Sequence, residues 1–87
     1  MPLDLDKLGR RIAARRAWKR MSQQELAKEA DLTQATIARI ERGRKPGVHV
    51  QTLVAIADAL GVSVDYLLGR GKAEDEDDEP HLARAGA

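Results

Sequence analysis

The sequence is 87 residues long, contains no cysteine and has a formal net charge of +1. This length allows one domain with a modest core, and the lack of cysteine excludes a disulfide framework and a thiolate metal site. The longest stretch without a charged residue, Pro46 to Ala57, is 12 residues, whereas a membrane span needs about 20. With no apolar signal run at the start, we expect a cytoplasmic protein.

The small net charge hides two regions of opposite sign. Residues 1–72 hold 14 Lys or Arg against 8 Asp or Glu, and residues 73–87 hold one Arg against 6 acids. A basic domain suits a polyanionic partner, because neutralising phosphates releases condensed counterions. Charge runs also commonly do no more than solvate a helix surface, so charge alone leaves both interpretations open.

Local patterns predict the first two helices. Apolar residues at helical spacing, from Leu5 to Ile12, predict a first helix over residues 4–17, with an acidic start and a basic end that suit the helix dipole. Ser22 followed three residues later by Glu25 is the pattern of a capping box. It predicts a second helix over residues 23–30.

A third helix is predicted directly after a tight turn. Thr33 can cap its N-terminus, the helix runs over residues 34–42, and Gly43 ends it. Ile37 and Ile40 are predicted to face the core. The residues left facing outward are Gln34, Ala35, Ala38 and Arg39.

Two further helices complete the predicted fold. A fourth is expected over residues 50–60, ended by Gly61 as a left-handed cap, and Ser63 can cap a short fifth helix. After Gly69 the composition changes, and a run of acids at 74–79 is typical of a disordered segment. The sequence therefore predicts an all-α domain, residues 1–69, followed by a flexible acidic tail, residues 70–87.

The segment Ser22–Gly43 resembles the helix-turn-helix of the Cro/C1-type (XRE-like) regulators. It contains Ser22-Gln23-Gln24-Glu25-Leu26-Ala27 and then Thr33, Ile37, Glu41 and Gly43, in the order and spacing of that family. The resemblance extends over residues 5–69, with Leu8 to Ile12 upstream and Thr52 to Gly69 downstream. It implies a compact five-helix bundle of the lambda-repressor-like DNA-binding type.

The resemblance also implies which residues meet DNA. Its base-reading positions correspond to Thr33, Gln34, Ala35, Ala38 and Arg39. Among these, the Gln34 amide suits adenine and the Arg39 guanidinium suits guanine, whereas the alanines cannot donate hydrogen bonds. Phosphate contacts, which position the domain, are expected from Gln23, Thr36, Arg42, Arg44 and Lys45.

Other residues receive structural roles. The family pairs the arginine that matches Arg16 with the glutamate that matches Glu41, which implies an ion pair between two helices; a phosphate contact by Arg16 is the alternative. An apolar surplus near the end of the domain predicts a dimer interface, and the resemblance places it in the same region. Its predicted members are Val54, Val64, Tyr66, Leu67 and Leu68.

These features predict a transcriptional repressor that binds an inverted-repeat operator in double-stranded DNA as a homodimer. The alternative is an antitoxin or a regulator-modulating interaction module on the same fold, with a protein partner bound by the acidic tail or by the last two helices. His49 and His81 have no ligand companions, and Asp58 and Asp65 have no nucleophile beside them. We therefore expect no enzyme, metal, cofactor or small-molecule ligand. The tail is either a solvated end or a competitor of phosphate for the basic DNA-binding face.

Overall fold

The computed structural model describes residues 4–45 and 47–70, and this part of the chain is all-α, as predicted. α2 to α5 begin at the predicted residues, whereas α1 begins and ends one residue later than predicted. α3 ends one residue earlier, because Arg42 is its cap. The acidic tail beyond Arg70 and His81 lie outside the described residues. The helices are α1 Leu5–Trp18, α2 Gln23–Ala30, α3 Gln34–Glu41, α4 Val50–Leu60 and α5 Val64–Leu68.

Side-chain oxygens cap the N-termini of four of these helices. Asp4, Ser22, Thr33 and Ser63 each accept a hydrogen bond from the backbone N–H three residues later. At α2 the capping box is complete, because the Glu25 carboxylate also accepts from the Ser22 N–H at 2.8 Å. Such caps satisfy N–H groups that have no partner inside the helix, each stabilising by about 1 kcal/mol. The predicted starts of α2, α3 and α5 are thus confirmed.

Left-handed residues stop the helices. Gly43 follows α3 with φ of 71°, and its N–H and that of Arg44 return to the carbonyls of Ile40 and Arg39 at 3.0 and 2.8 Å. This pair of bonds is the Schellman motif. In the turn between α2 and α3 the same left-handed position is occupied by Asp31, with φ of 60°.

The core is entirely aliphatic and is supplied by all five helices. α2 packs against α3 and α4, while α1 packs against α3 and α5. α3 is therefore held from behind by α1 and α2, which leaves its other side free. The buried hydrophobic residues are Leu8, Ile12, Leu26, Ala27, Ala30, Ile37, Ile40, Leu53, Ile56, Ala57, Leu60 and Leu67.

One predicted interface residue belongs to this core. The Leu67 side chain is 0% exposed, because α5 packs against α1 and α4 with Leu67 on the packed side. Its assignment to a dimer surface is therefore wrong. Val54 is 42% exposed, and Val64, Tyr66 and Leu68 are partly buried at the edge of the core.

Over residues 4–45 and 47–70, no helix has both the length and the apolar character needed to cross a bilayer.

Candidate nucleic-acid interface

α3 has one face in the core and one in solvent. Ile37 and Ile40 are 0% and 2% exposed, and they anchor the helix to α1 and α2. At about 100° per residue, Gln34, Ala38, Ala35 and Arg39 follow one another around the opposite side. Gln34, Ala35 and Arg39 are exposed and Ala38 is partly exposed, so the predicted outward face is the observed one.

The chemistry of this face is concentrated at its two ends. Gln34 and Arg39 are five residues apart, which is about 7.5 Å along the helix axis. That distance is close to two base steps of about 3.4 Å. Between them lie only the methyl groups of Ala35 and Ala38, so the helix backbone can approach a flat or grooved surface closely. The face therefore presents two separated hydrogen-bonding groups on a thin helix.

Hydroxyl groups organise the N-terminus of α3. The Thr33 hydroxyl accepts from the Thr36 N–H at 3.1 Å and donates to the Thr36 hydroxyl at 2.9 Å. Since a hydroxyl has one hydrogen, Thr33 keeps only acceptor capacity. Thr36 keeps its own hydrogen and can donate it outward, for instance to a phosphate oxygen.

A two-pronged ion pair fixes α1 against the end of α3. The Arg16 Nε donates to Glu41 Oε2 at 2.7 Å and its Nη2 donates to Glu41 Oε1 at 3.0 Å. The Arg16 Nη1 also donates to the Met21 carbonyl at 2.8 Å. The side chains are 19% and 7% exposed, so this is an interior clamp. All three nitrogens of the Arg16 guanidinium donate to groups within the domain. This favours the structural role of Arg16 over a phosphate contact.

The same contact determines the charge state of Arg16. Its hydrogen bond to Glu41 raises the pKa of the guanidinium above the ordinary value; burial opposes this, and the Coulomb attraction of Glu41 adds to it. The guanidinium is therefore charged throughout the accessible pH range.

Gln23 extends the clamp to the outward face of α3. Its Nε2 donates to Glu41 Oε1 at 3.0 Å, and its Oε1 accepts from Gln34 Nε2 at 3.3 Å. The orientation follows from chemistry, because only the nitrogen side of an amide can face a carboxylate. A chain of hydrogen bonds thus runs from Arg16 through Glu41 and Gln23 to Gln34.

Comparison with known proteins identifies the family to which the chain belongs. Residues 12–67 match the family described as Helix-turn-helix. The chain belongs to the Cro/C1-type helix-turn-helix family. α2 and α3 are the two helices of its motif, and α3 stands in the position of the recognition helix.

Relatives of this helix-turn-helix protein are regulators. The chain is 39% identical over 62 residues to the immunity repressor protein of Bacillus phage phi105. The match covers 71% of this chain and 42% of the repressor, so it spans less than half the length of that relative.

Solved structures with the same fold include three regulators. The restriction-modification controller protein C.AhdI from Aeromonas hydrophila has a TM-score of 0.70 and 31% identity, covering 74% of this chain and 96% of that one. The clp gene regulator ClgR from Corynebacterium glutamicum has a TM-score of 0.72 and 32% identity, covering 95% and 89%. The DNA-binding domain of the P22 c2 repressor has a TM-score of 0.66 and 28% identity, covering 85% and 99%.

Cationic side chains follow the recognition helix. Arg42 and Arg44 are exposed and Lys45 is partly exposed, and the Schellman bonds fix the backbone that carries the first two. They lie at the opposite end of α3 from Thr36. The residues predicted to contact phosphate thus flank the predicted base-reading residues on both sides.

Sequence reasoning missed the link between Gln23 and Gln34. The sequence predicts a phosphate contact by the Gln23 amide at the start of α2, and the structure engages both ends of this amide in hydrogen bonds. One N–H of the amide nitrogen is still available, so the phosphate contact stays a prediction. No local sequence pattern reveals this link, because it depends on how α2 and α3 cross. Their crossing brings residues 11 positions apart within hydrogen-bonding distance.

Proposed function

We propose that this protein is a repressor that binds an inverted-repeat operator as a homodimer, with α3 in the major groove of each half-site. The observation that carries this proposal is the exposed face of α3. It offers one amide and one guanidinium, separated by two alanines, on a helix whose other side is locked into the core.

Gln34 and Arg39 are the proposed base readers. An amide pairs in a bidentate manner with adenine N6 and N7, and a guanidinium with guanine O6 and N7. Gln23 steadies Gln34 through the 3.3 Å hydrogen bond, which keeps the amide in a defined orientation. Ala35 and Ala38 contribute apolar contacts, of the kind made to thymine methyl groups. Thr33 can add only an accepted hydrogen bond.

Phosphate contacts fix the position of α3 in the groove. Thr36 and the second N–H of Gln23 supply donors near the start of the helix. Arg42, Arg44 and Lys45 supply charge near its end. Together they hold the DNA backbone on both sides, which sets register and orientation without naming bases.

A homodimer places two recognition helices one DNA turn apart, about 34 Å. The two-fold axis of the dimer then requires an inverted repeat in the operator. With Leu67 assigned to the core, the proposed dimer surface consists of Val54, Val64, Tyr66 and Leu68. Val54 is its most exposed member.

Repression is the proposed direction of regulation. The phage phi105 relative and the P22 protein both have repressor in their names. A dimer bound in the major groove of a promoter prevents other proteins from binding that promoter. Occupancy of the promoter is the proposed mode of control.

Selection of bound sites from a random DNA library is the deciding experiment. We expect the recovered sequences to share an inverted repeat with half-sites centred about 10 base pairs apart. A protein-interaction module would return no enriched sequence, and this outcome would refute the proposal. An enriched sequence without two-fold symmetry would refute the homodimer alone.

A further inference from the structure

A shallow basic groove lies between α1 and α5, away from the recognition helix. It encloses about 280 Å³ and is lined by Lys7, Arg10, Arg11, Ala14 and Tyr66. Three of its five lining residues carry positive charge and none carries negative charge. Lys7 and Arg10 are exposed and Arg11 is partly exposed.

The cations of the basic groove lack carboxylate partners in the described part of the chain. The ion pair found there joins Arg16 to Glu41 and includes none of the groove residues. Asp65 precedes Tyr66 in α5 but makes no ion pair with the groove cations. Three like charges are therefore held within two turns of one helix, which is unfavourable unless an anion neutralises them.

The basic groove and the recognition helix lie on different sides of α1. Gly9 and Arg16 face α3, since a Cβ added to Gly9 would touch the α3 backbone and Arg16 binds Glu41. At about 100° per residue, Lys7 and Arg10 are roughly 160° and 100° away from Gly9 around the helix. Whatever occupies the groove is thus kept off the outward face of α3.

The chain leaves the described structure beside this groove. The guanidinium of Arg11 lies directly against Gly69: a Cβ added there would be 2.7 Å from its Nη1 and 2.8 Å from its Cζ. Five residues later begins a run of six consecutive acids, Glu74–Glu79. Five residues reach at most about 17 Å, and the groove from Lys7 to Ala14 is about 10 Å long. The acids therefore reach the groove without crossing the domain.

We propose that the acidic run Glu74–Glu79 binds in the basic groove of its own chain. Charge complementarity and the short connection from Gly69 carry the proposal. A tethered ligand has a high effective concentration, which compensates for the weakness of single exposed ion pairs. The contact lowers the positive field of the domain toward DNA while leaving Gln34 and Arg39 uncovered.

A spin label placed just beyond the acidic run tests this arrangement. The chain has no cysteine, so A83C in the full-length protein gives a single labelling site that keeps all six acids. We expect the largest loss of amide peak intensity in NMR spectra at the basic groove. The loss should fade in 1 M salt, where the Debye length is about 3 Å. Largest losses on α2 and α3 would overturn the proposal, because the acids would then cover the DNA-binding face.

Two controls are needed. The first tests whether the contact depends on the charge of the tail, and the second tests whether it forms within one chain or between two. Replacing the six acids by Gln and Asn, with the label kept, should abolish the selective loss at the groove; an unchanged pattern would overturn the proposal. Mixing labelled protein with an unlabelled, isotopically enriched copy should show a clearly smaller loss at the groove, even though Tyr66 lines both the groove and the proposed dimer surface. A loss of equal size in the mixture would assign the contact to a second copy and overturn the proposal.

Substitutions in the domain complete the test with matched changes of charge. The groove variant should lose the selective signal, and the control variant, which removes the same charge from exposed positions elsewhere, should keep it. Equal behaviour of the two would show that only net charge matters and would overturn the proposal. The groove variant is K7Q, R10Q and R11Q. The control variant is K19Q, R20Q and K28Q.

Discussion

Gly9 of α1 lies in direct contact with the backbone of Glu41 at the end of α3. A Cβ added to Gly9 would be 2.5 Å from the Glu41 carbonyl oxygen and the same distance from that of Ile40. Real Cβ atoms do not come so close to backbone oxygens, so only glycine permits this approach. The position of the recognition helix thus depends on a missing side chain in α1 as well as on the ion pair of Arg16.

Gly9→Ala should therefore destabilise the fold. In an exposed helix the change would stabilise by about 0.5–1 kcal/mol, whereas here we expect a loss of about 2 kcal/mol from overpacking against backbone. Urea unfolding followed by far-UV circular dichroism measures it. Ala17→Gly, on the exposed side of α1, gives the ordinary cost of a helix glycine for comparison. A Gly9→Ala variant more stable than the wild type would contradict the close contact.

Breaking the clamp should also lower stability. Glu41→Ala leaves Arg16 charged and partly buried without its carboxylate, so we expect a loss of about 2–4 kcal/mol. Because the pKa of Arg16 is raised, its own contribution is complete at neutral pH and disappears only as pH rises through that raised pKa. Glu29→Ala, at an exposed position of α2, should change stability by less than about 0.5 kcal/mol. Equal losses in the two variants would contradict a buried clamp.

Arg39→Ala should relax base preference at one position of each half-site and cost about 1–3 kcal/mol of specific binding. Arg39→Lys is the matched control, because it keeps the charge but loses the planar fork. We expect it to retain affinity for random DNA and to lose the same preference. Gln34→Ala should change a different position. Site selection with all three variants makes the comparison, and identical recovered motifs would show that α3 does not read these bases.

Gln23→Ala should weaken operator binding although this residue is not a proposed base reader. The change frees Gln34 and removes one donor from Glu41. Gln24→Ala is the matched control, since the neighbouring amide is exposed and makes none of these bonds. A double-mutant cycle on operator DNA should show a coupling between Gln23 and Gln34 of about 0.5–3 kcal/mol. Strictly additive effects would show that the hydrogen bond does not orient Gln34.

Val54→Asp should shift the protein from dimer to monomer. An exposed valine replaced by a charge on an apolar interface loses contact area and adds a desolvation cost. Sedimentation at several concentrations, with and without operator DNA, measures the effect. Gln24→Asp introduces the same charge on α2 and should leave the dimer intact. If wild-type protein sediments as a monomer under every condition, free and on DNA, the dimer proposal fails.

Local signals were sufficient to predict most helix boundaries. The capping box of Ser22 and Glu25, the cap at Thr33 and the stop at Gly61 depend on residues within one turn of each other. Such patterns involve only backbone groups that lack helical partners, so they can be recognised without knowing the tertiary fold. The outward face of α3 followed from the same short-range periodicity.

The features that were missed depend on how helices cross. Leu67 follows the same apolar pattern as Leu68, and only the packing of α5 on the bundle decides which of them is buried. The bond from Gln23 to Gln34 likewise requires the crossing of α2 and α3. In each case long-range packing, absent from any local window, determines the outcome.

The aliphatic core makes the folding of this protein almost invisible to tryptophan fluorescence. Trp18 is 51% exposed, and the Arg15 guanidinium covers its ring at 4.1 Å from the centroid. Its emission will report quencher access and the loss of that cation, rather than the collapse of the interior. The isoleucine and leucine methyl groups, by contrast, lie where every helix meets. Methyl-labelled samples will therefore report the integrity of the DNA-binding domain directly, including in complexes too large for amide spectra.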